Sequence, residues 1–151
     1  MNTLCRYSCI MVKEEVVNAE IKDVSLDQPE TLVNMLNAAV SLSSRPSEEL
    51  WVIYLSAKLK VIGIEMVSRG GLTGSSAAPR EVFGGAIRKG AYGIVAAHNH
   101  PSGDPAPSAE DIKSTKQLIK AGNILGVKLI DHIVIGDGSF ISMRQSNLCK
   151  F

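Results

Sequence analysis

Residues 93–98 (GIVAAH) are apolar up to a terminal histidine and run straight into a polar, turn-rich segment, NHPSGDPAPS. A run this short makes a poor helix, and an unbroken apolar strand needs cover on both faces, which a layered arrangement supplies. The remainder of the chain contains that cover. Pro29 suits the first turn of a helix that Asp27 or Gln28 can cap. Leu32, Val33, Leu36, Ala39 and Val40 then recur at helical spacing until Ser43, Ser44, Arg45 and Pro46 stop it. Residues 50–55 (LWVIYL) read as a second buried strand. After a polar turn over 56–60, Val61, Ile62, Ile64, Met66 and Val67 form its hairpin partner, which carries a single acid, Glu65.

A second helix is expected over 79–89, with Val82, Phe83, Ala86 and Ile87 on its apolar face and Gly90 as its stop. A third runs from Ala109 to Ile124, with Ile112, Leu118, Ile119 and Ala121 inward and Lys113, Lys116 and Lys120 outward. Strands over 127–135 and 139–143 flank the hairpin turn Gly136-Asp137-Gly138. An initial strand is expected over 6–17 and a surface loop, a candidate flap, over 70–79. This alternation points to an α/β fold: one layered domain over residues 1–151, with a mixed β-sheet flanked by helices.

The function classes narrow next. At 151 residues there is room for one compact domain, and 16 Lys plus Arg against 15 Asp plus Glu leave a formal charge of +1. That balance lacks the basic excess expected of a protein held mainly by phosphate contacts. No apolar run approaches the roughly 18 residues needed to span a bilayer, and no signal peptide is evident, so a cytoplasmic protein is expected. Cys5, Cys9 and Cys149 contain no CxxC pair, which argues against a disulfide framework and against a thiolate zinc site.

The chemistry is concentrated in residues 97–111, AHNHPSGDPAPSAED. Side chains alternate along a strand, so His98 and His100 point the same way and can share one metal ion. Ser108 stands where the third helix begins, with Asp111 three residues on, so the loop returns a carboxylate toward the two imidazoles. Three protein ligands leave a fourth position open, the pattern of a catalytic zinc site. Each piece also has a plain reading: His-x-His as polar residues at a strand end, and Ser108-x-x-Asp111 as a capping box. The two readings are compatible, because a capped helix start holds its side chains rigidly. Glu65, an acid in an apolar strand, is either an exposed residue on an edge strand or a carboxylate that is costly to bury unless protonated, hydrogen-bonded or near a cation, for which a zinc-bound water is a suitable partner.

Taken together, Glu65, His98-x-His100-Pro101 and Ser108-x-x-Asp111 resemble the JAMM signature of the JAB/MPN metalloprotease superfamily. Within it the chain is similar to the RadC-type domain through PREVF (79–83), AHNHPSGDPAPS (97–108) and LIDHIVIGDGSFIS (129–142), the motif-bearing part covering about 49–150. The resemblance implies the JAB/MPN layering, which is also cytidine-deaminase-like, and one Zn2+ per chain held by His98, His100 and Asp111. It implies Glu65 as general acid/base and Ser108 as hydrogen-bond donor to the oxyanion of a tetrahedral intermediate. The implied reaction is hydrolysis of a peptide or isopeptide bond in a protein or peptide substrate. Asn99, between the two histidines, is usual for the RadC branch, whereas deubiquitinating relatives carry Ser or Thr there.

Longer RadC-type proteins carry an N-terminal helix-hairpin-helix region, for which this chain has no room ahead of its catalytic part. The alternative function, a DNA-repair or mobile-element accessory protein with a structural or vestigial metal site, therefore has weak support. Lys113, Lys116 and Lys120, with Arg88 and Lys89, are better read as a solvated face than as a phosphate-facing patch. A cytidine deaminase would need H-x-E with P-C-x-x-C, and neither occurs. Asp131 and His132 are favoured as structural residues, since neither completes the zinc geometry, although His132 could orient a ligand. Asp104 serves the SGDP turn.

Overall fold

The computed structural model describes residues 28–70 and 78–151. The strand expected over 6–17, Asp27 as a cap and most of the 70–79 loop lie outside the described residues. Within them the order is α1 (Pro29–Val40), a short 3-10 turn (Leu42–Ser44), β1 (Glu49–Leu55), β2 (Val61–Arg69), α2 (Pro79–Lys89), β3 (Gly93–Asn99), α3 (Ala109–Leu125), β4 (Lys128–Ile135) and β5 (Phe140–Ser142). These elements follow the apolar runs and breakers, with ends displaced by at most a residue or two. Gln28 is the N-cap of α1 but makes no side-chain capping bond, and Pro29 fills the first turn instead.

The five strands form one sheet in the order β2-β1-β3-β4-β5. β1 pairs antiparallel with both β2 and β3, β3 runs parallel to β4 through the α3 crossover, and β4 pairs antiparallel with β5. The sheet is therefore mixed, and the fold is α/β with three helices. Alternation along the strands sorts the core into two layers. On one face Ile53, Leu55, Val95, Ala97, Ile133 and Ile135 pack with Leu32, Val33 and Leu36 of α1. On the other, Val52, Tyr54, Ile94 and Ala96 pack with Val82, Phe83 and Ala86 of α2 and Leu118 of α3. His98 continues the Ile94–Ala96 row, so the second face, under α2 and α3, carries the site.

Two helical faces differ from the expectation. In α2, Ile87 is 55% exposed, and Gly85 takes the inward position beside Val82, Phe83 and Ala86. In α3 Leu118 is buried and Ile119 and Ala121, half-buried, pack against the same core cluster as expected, whereas Ile112 is half-buried and outside it. The buried stripe is Asp111, Ser114, Thr115, Leu118 and Gly122, still helical in spacing but polar in its first turns. The cause is local: those turns face the polar end of the sheet and not its apolar centre. Lys113, Lys116 and Lys120 are exposed, as expected. No helix among the described residues is long and apolar enough to cross a membrane.

Candidate metal centre

β3 is buried along its whole length, and at its end the alternating side chains divide their tasks. Asn99 turns away from the site. Its Oδ1 accepts from the Glu49 backbone N–H at 2.8 Å, and its Nδ2 lies 3.2 Å from the Arg45 carbonyl and 3.1 Å from that of Ser47. This clamps the start of β1 to the end of β3. His98 and His100 turn the other way, and their Nε2 atoms stand 3.1 Å apart.

The loop after His100 is tied down by backbone bonds. The His100 N–H donates to the Ile135 carbonyl at 2.8 Å, and the Asp137 N–H to the Gly103 carbonyl at 2.8 Å. A side chain at Gly136 would run into Gly103 and Pro105, so glycine there permits the loop to lie against the β4–β5 turn. Asp104 serves its turn as expected, its Oδ1 accepting from the Ala106 N–H at 2.9 Å. The chain then enters α3 through a complete capping box. Asp111 Oδ2 accepts from the Ser108 N–H at 2.7 Å and the Ser108 hydroxyl at 2.6 Å, while Ser108 Oγ accepts from the Asp111 N–H at 3.1 Å.

The carboxylate so fixed lies 3.5 Å from His98 Nε2 through Oδ1 and 3.5 Å from His100 Nε2 through Oδ2. His98, His100 and Asp111 form a group that could hold a metal ion. Donors about 2.0–2.1 Å from a tetrahedral zinc stand roughly 3.3 Å apart, close to the separations here. Burial alone would raise the Asp111 pKa, but the bonds donated by the Ser108 N–H and hydroxyl lower it, and the carboxyl is held well below the usual carboxylate range. Asp111 is therefore ionised and ready to ligate.

The hydrogen-bond network also assigns the imidazole tautomers. His100 Nδ1 lies 2.8 Å from the Asp104 carbonyl, which only accepts, so Nδ1 carries the proton and Nε2 is bare. For His98 the chain is longer. The Thr115 hydroxyl donates to the Asp111 carbonyl at 2.7 Å, so Oγ1 accepts from His132 Nδ1 at 2.6 Å. His132 Nε2 is then an acceptor, and it takes the proton of His98 Nδ1 at 2.8 Å. His98 Nε2 is bare as well. Two unprotonated nitrogens and a carboxylate converging in a buried site repel one another unless a cation sits among them. The donor set fits a divalent metal.

His132 is the correction to the sequence reading. It is buried, and desolvation lowers its pKa to about 3, so it is neutral at ordinary pH. It orients His98 through its ring. His132→Phe keeps the aromatic bulk and removes both nitrogens; if the group holds a divalent metal, the variant is expected to bind added Zn2+ about 10- to 100-fold more weakly, measured by competition with a chromophoric chelator. Asp131 does what was expected of it: it accepts from Ser142 Oγ at 2.6 Å and from the Arg144 and His132 backbones at 3.0 and 2.7 Å. Thr115, the last relay in the chain, carries no signal in the sequence beyond its helical register with Asp111.

Glu65 stands apart from this group. It is opposite Val52, which is opposite Ala96, so it lies on the face of the sheet that carries His98 but two strands away. Among the described residues β2 is the outer strand of the sheet, and the Glu65 side chain is 40% exposed. Its Oε2 accepts from the Tyr54 hydroxyl at 2.7 Å, and its Oε1 is 4.0 Å from Arg88. No hydrogen bond or ion pair joins it to His98, His100 or Asp111 among the described residues.

Comparison with known proteins agrees with this arrangement. A family model described as RadC-like JAB domain matches residues 26–148. The chain is 43% identical over 136 residues to a UPF0758 protein of Caldanaerobacter subterraneus subsp. tengcongensis, covering 90% of this chain and 58% of that protein. It is 52% identical over 101 residues to a UPF0758 protein of Moorella thermoacetica, covering 67% of this chain and 44% of that protein. The chain thus spans about half the length of the curated relatives it matches. A sheet that delivers two bare imidazoles and a capped aspartate to one point, in a sequence matched along most of its length, places this chain in the RadC-like JAB domain family.

Proposed function

We propose that this chain is a zinc-dependent hydrolase that cleaves a peptide or isopeptide bond. The observation that carries the reading is the convergence of two bare Nε2 atoms and an ionised carboxylate at one buried point. His98, His100 and Asp111 would hold one zinc per chain and leave a fourth position open, as catalytic zinc sites do. Bound there, zinc supplies a Lewis acid and lowers the pKa of a coordinated water toward neutrality.

The chain's own residues supply the rest. Glu65, on the same face of the sheet, accepts a proton from the attacking water and returns it to the leaving amine. Ser108 stabilises the negative charge that develops on the carbonyl oxygen. The Ser108 N–H bonds Asp111 Oδ2 at 2.7 Å separately from the hydroxyl, so the helix start would keep one of its bonds when the hydroxyl turns to that task. His132 and Thr115 keep the His98 lone pair aimed at the site throughout.

The test compares zinc-loaded protein with the same protein stripped by chelator, each incubated with a cell lysate and read as new protein termini by mass spectrometry. Termini that appear only with the loaded protein, at about one zinc per chain by metal analysis, are expected. Equal termini from both samples would remove the hydrolase reading.

A further inference from the structure

Tyr54 is fully buried in the core layer beneath α2, with Val82 and Phe83 in the same cluster. A tyrosine in such a place has its ring held by packing, and its hydroxyl needs a partner. That partner is not a backbone carbonyl. It is Oε2 of Glu65, at 2.7 Å, the acid to which the hydrolase reading gives the proton-transfer role.

α2 is built around this contact. A Cβ placed on Gly85 would collide with the Tyr54 hydroxyl and with Glu65 Oε2. Glycine in a helix interior costs stability relative to alanine, and here it leaves the space in which the phenol and the carboxylate meet. The exposed side of the pair is cationic: Lys89 Nζ lies 5.1 Å from the centre of the Tyr54 ring, and Arg88 4.0 Å from Glu65 Oε1. Burial, and then the bond to Glu65, push the phenol well above its ordinary pKa. It stays protonated and acts as a donor.

We infer that Tyr54 is the positioning residue for Glu65, occupying Oε2 in the space left by Gly85 so that Oε1 is the oxygen left to exchange the proton. The inference rests on the hydrolase reading for the role of Glu65. It explains how a carboxylate on the outer strand of the described sheet, 40% exposed, can be kept in one orientation when water would otherwise let it rotate. Loss of such orientation is costly, since a misplacement of about 1 Å can lower a rate about a hundredfold.

The test uses the full-length, zinc-loaded chain with 13C-labelled glutamate, the Glu65 Cδ resonance being identified by its absence in Glu65→Gln. Tyr54→Phe keeps the ring and removes the hydroxyl. It is expected to keep its melting behaviour and zinc content, to move the Glu65 Cδ resonance, and to lower kcat by between about tenfold and a hundredfold with KM unchanged. Gly85→Ala, which retains the phenol but crowds the pair, is expected to move the same resonance. Hydrolysis is followed on a peptide found by the terminus comparison. An unmoved resonance in Tyr54→Phe, or unchanged kcat where Glu65→Gln is inactive, overturns the inference alone. A wild-type protein that cleaves nothing overturns the hydrolase reading instead, and the resonance still reports whether the phenol holds the carboxylate.

Discussion

Glu65→Gln is expected to lower zinc-dependent hydrolysis by on the order of 10²–10⁴-fold while one zinc per chain remains bound. The glutamine amide has nearly the shape of the carboxylate, and its carbonyl oxygen can still accept from the Tyr54 hydroxyl, so the packing beneath α2 survives. What disappears is the capacity to take a proton. The ion pair lost to Arg88 is long, at 4.0 Å, and exposed on both sides, and such pairs contribute little to stability. Metal content by mass spectrometry, thermal melting and new termini from a lysate check the three parts separately. A variant that lost zinc would place Glu65 among the ligands, and one that kept full activity would strip it of the proton-transfer role.

Asp111→Asn should do the reverse. The variant retains an oxygen that can accept from the Ser108 N–H and hydroxyl, so α3 still starts at the same residue. It removes the negative charge that the bonds from the Ser108 N–H and hydroxyl stabilise. A neutral ligand facing a divalent cation in a buried site is a poor substitute. The expected loss of zinc affinity therefore exceeds the roughly 10- to 100-fold cost of losing an outer partner such as His132. Activity disappears with the metal and returns in part at high zinc concentration. Chelator competition measures the affinity, and circular dichroism verifies that the helix persists. An Asp111→Asn protein that bound zinc as tightly as the wild type would require a different third ligand.

The difference between what the sequence discloses and what it conceals follows from the kind of interaction involved. Buried strands such as β1 and β3 were legible because their apolar runs are too short for helices. The His98, His100 and Asp111 group was legible because strand alternation and a capping box are both short-range rules. The support around it was not. Tyr54 sits inside LWVIYL, where it reads as one more core residue, because the pattern registers its ring and not its hydroxyl. Thr115 and His132 meet across 17 positions of chain, and nothing local announces that contact. Only the first turns of α3 departed from the expected inward face, for a related reason: hydrophobic periodicity assumes an apolar neighbour, and those turns face a polar site. Ile87 was misplaced because Gly85, which carries no hydrophobic signal, occupies the closest approach of α2 to the sheet.

The sheet order has a consequence for how such a protein can change. Among the described residues His98 sits on the central strand β3, His100 directly after it and Asp111 on the helix that crosses to β4, whereas Glu65 belongs to β2, which pairs there with β1 alone. Substitutions on an outer strand disturb fewer partners than substitutions in the middle of a sheet. The part that would retain the ion is thus inherited almost as a block, while the part that would move protons can drift. On the proposed reading, one substitution on β2 would end the chemistry and leave in place the group that could hold an ion.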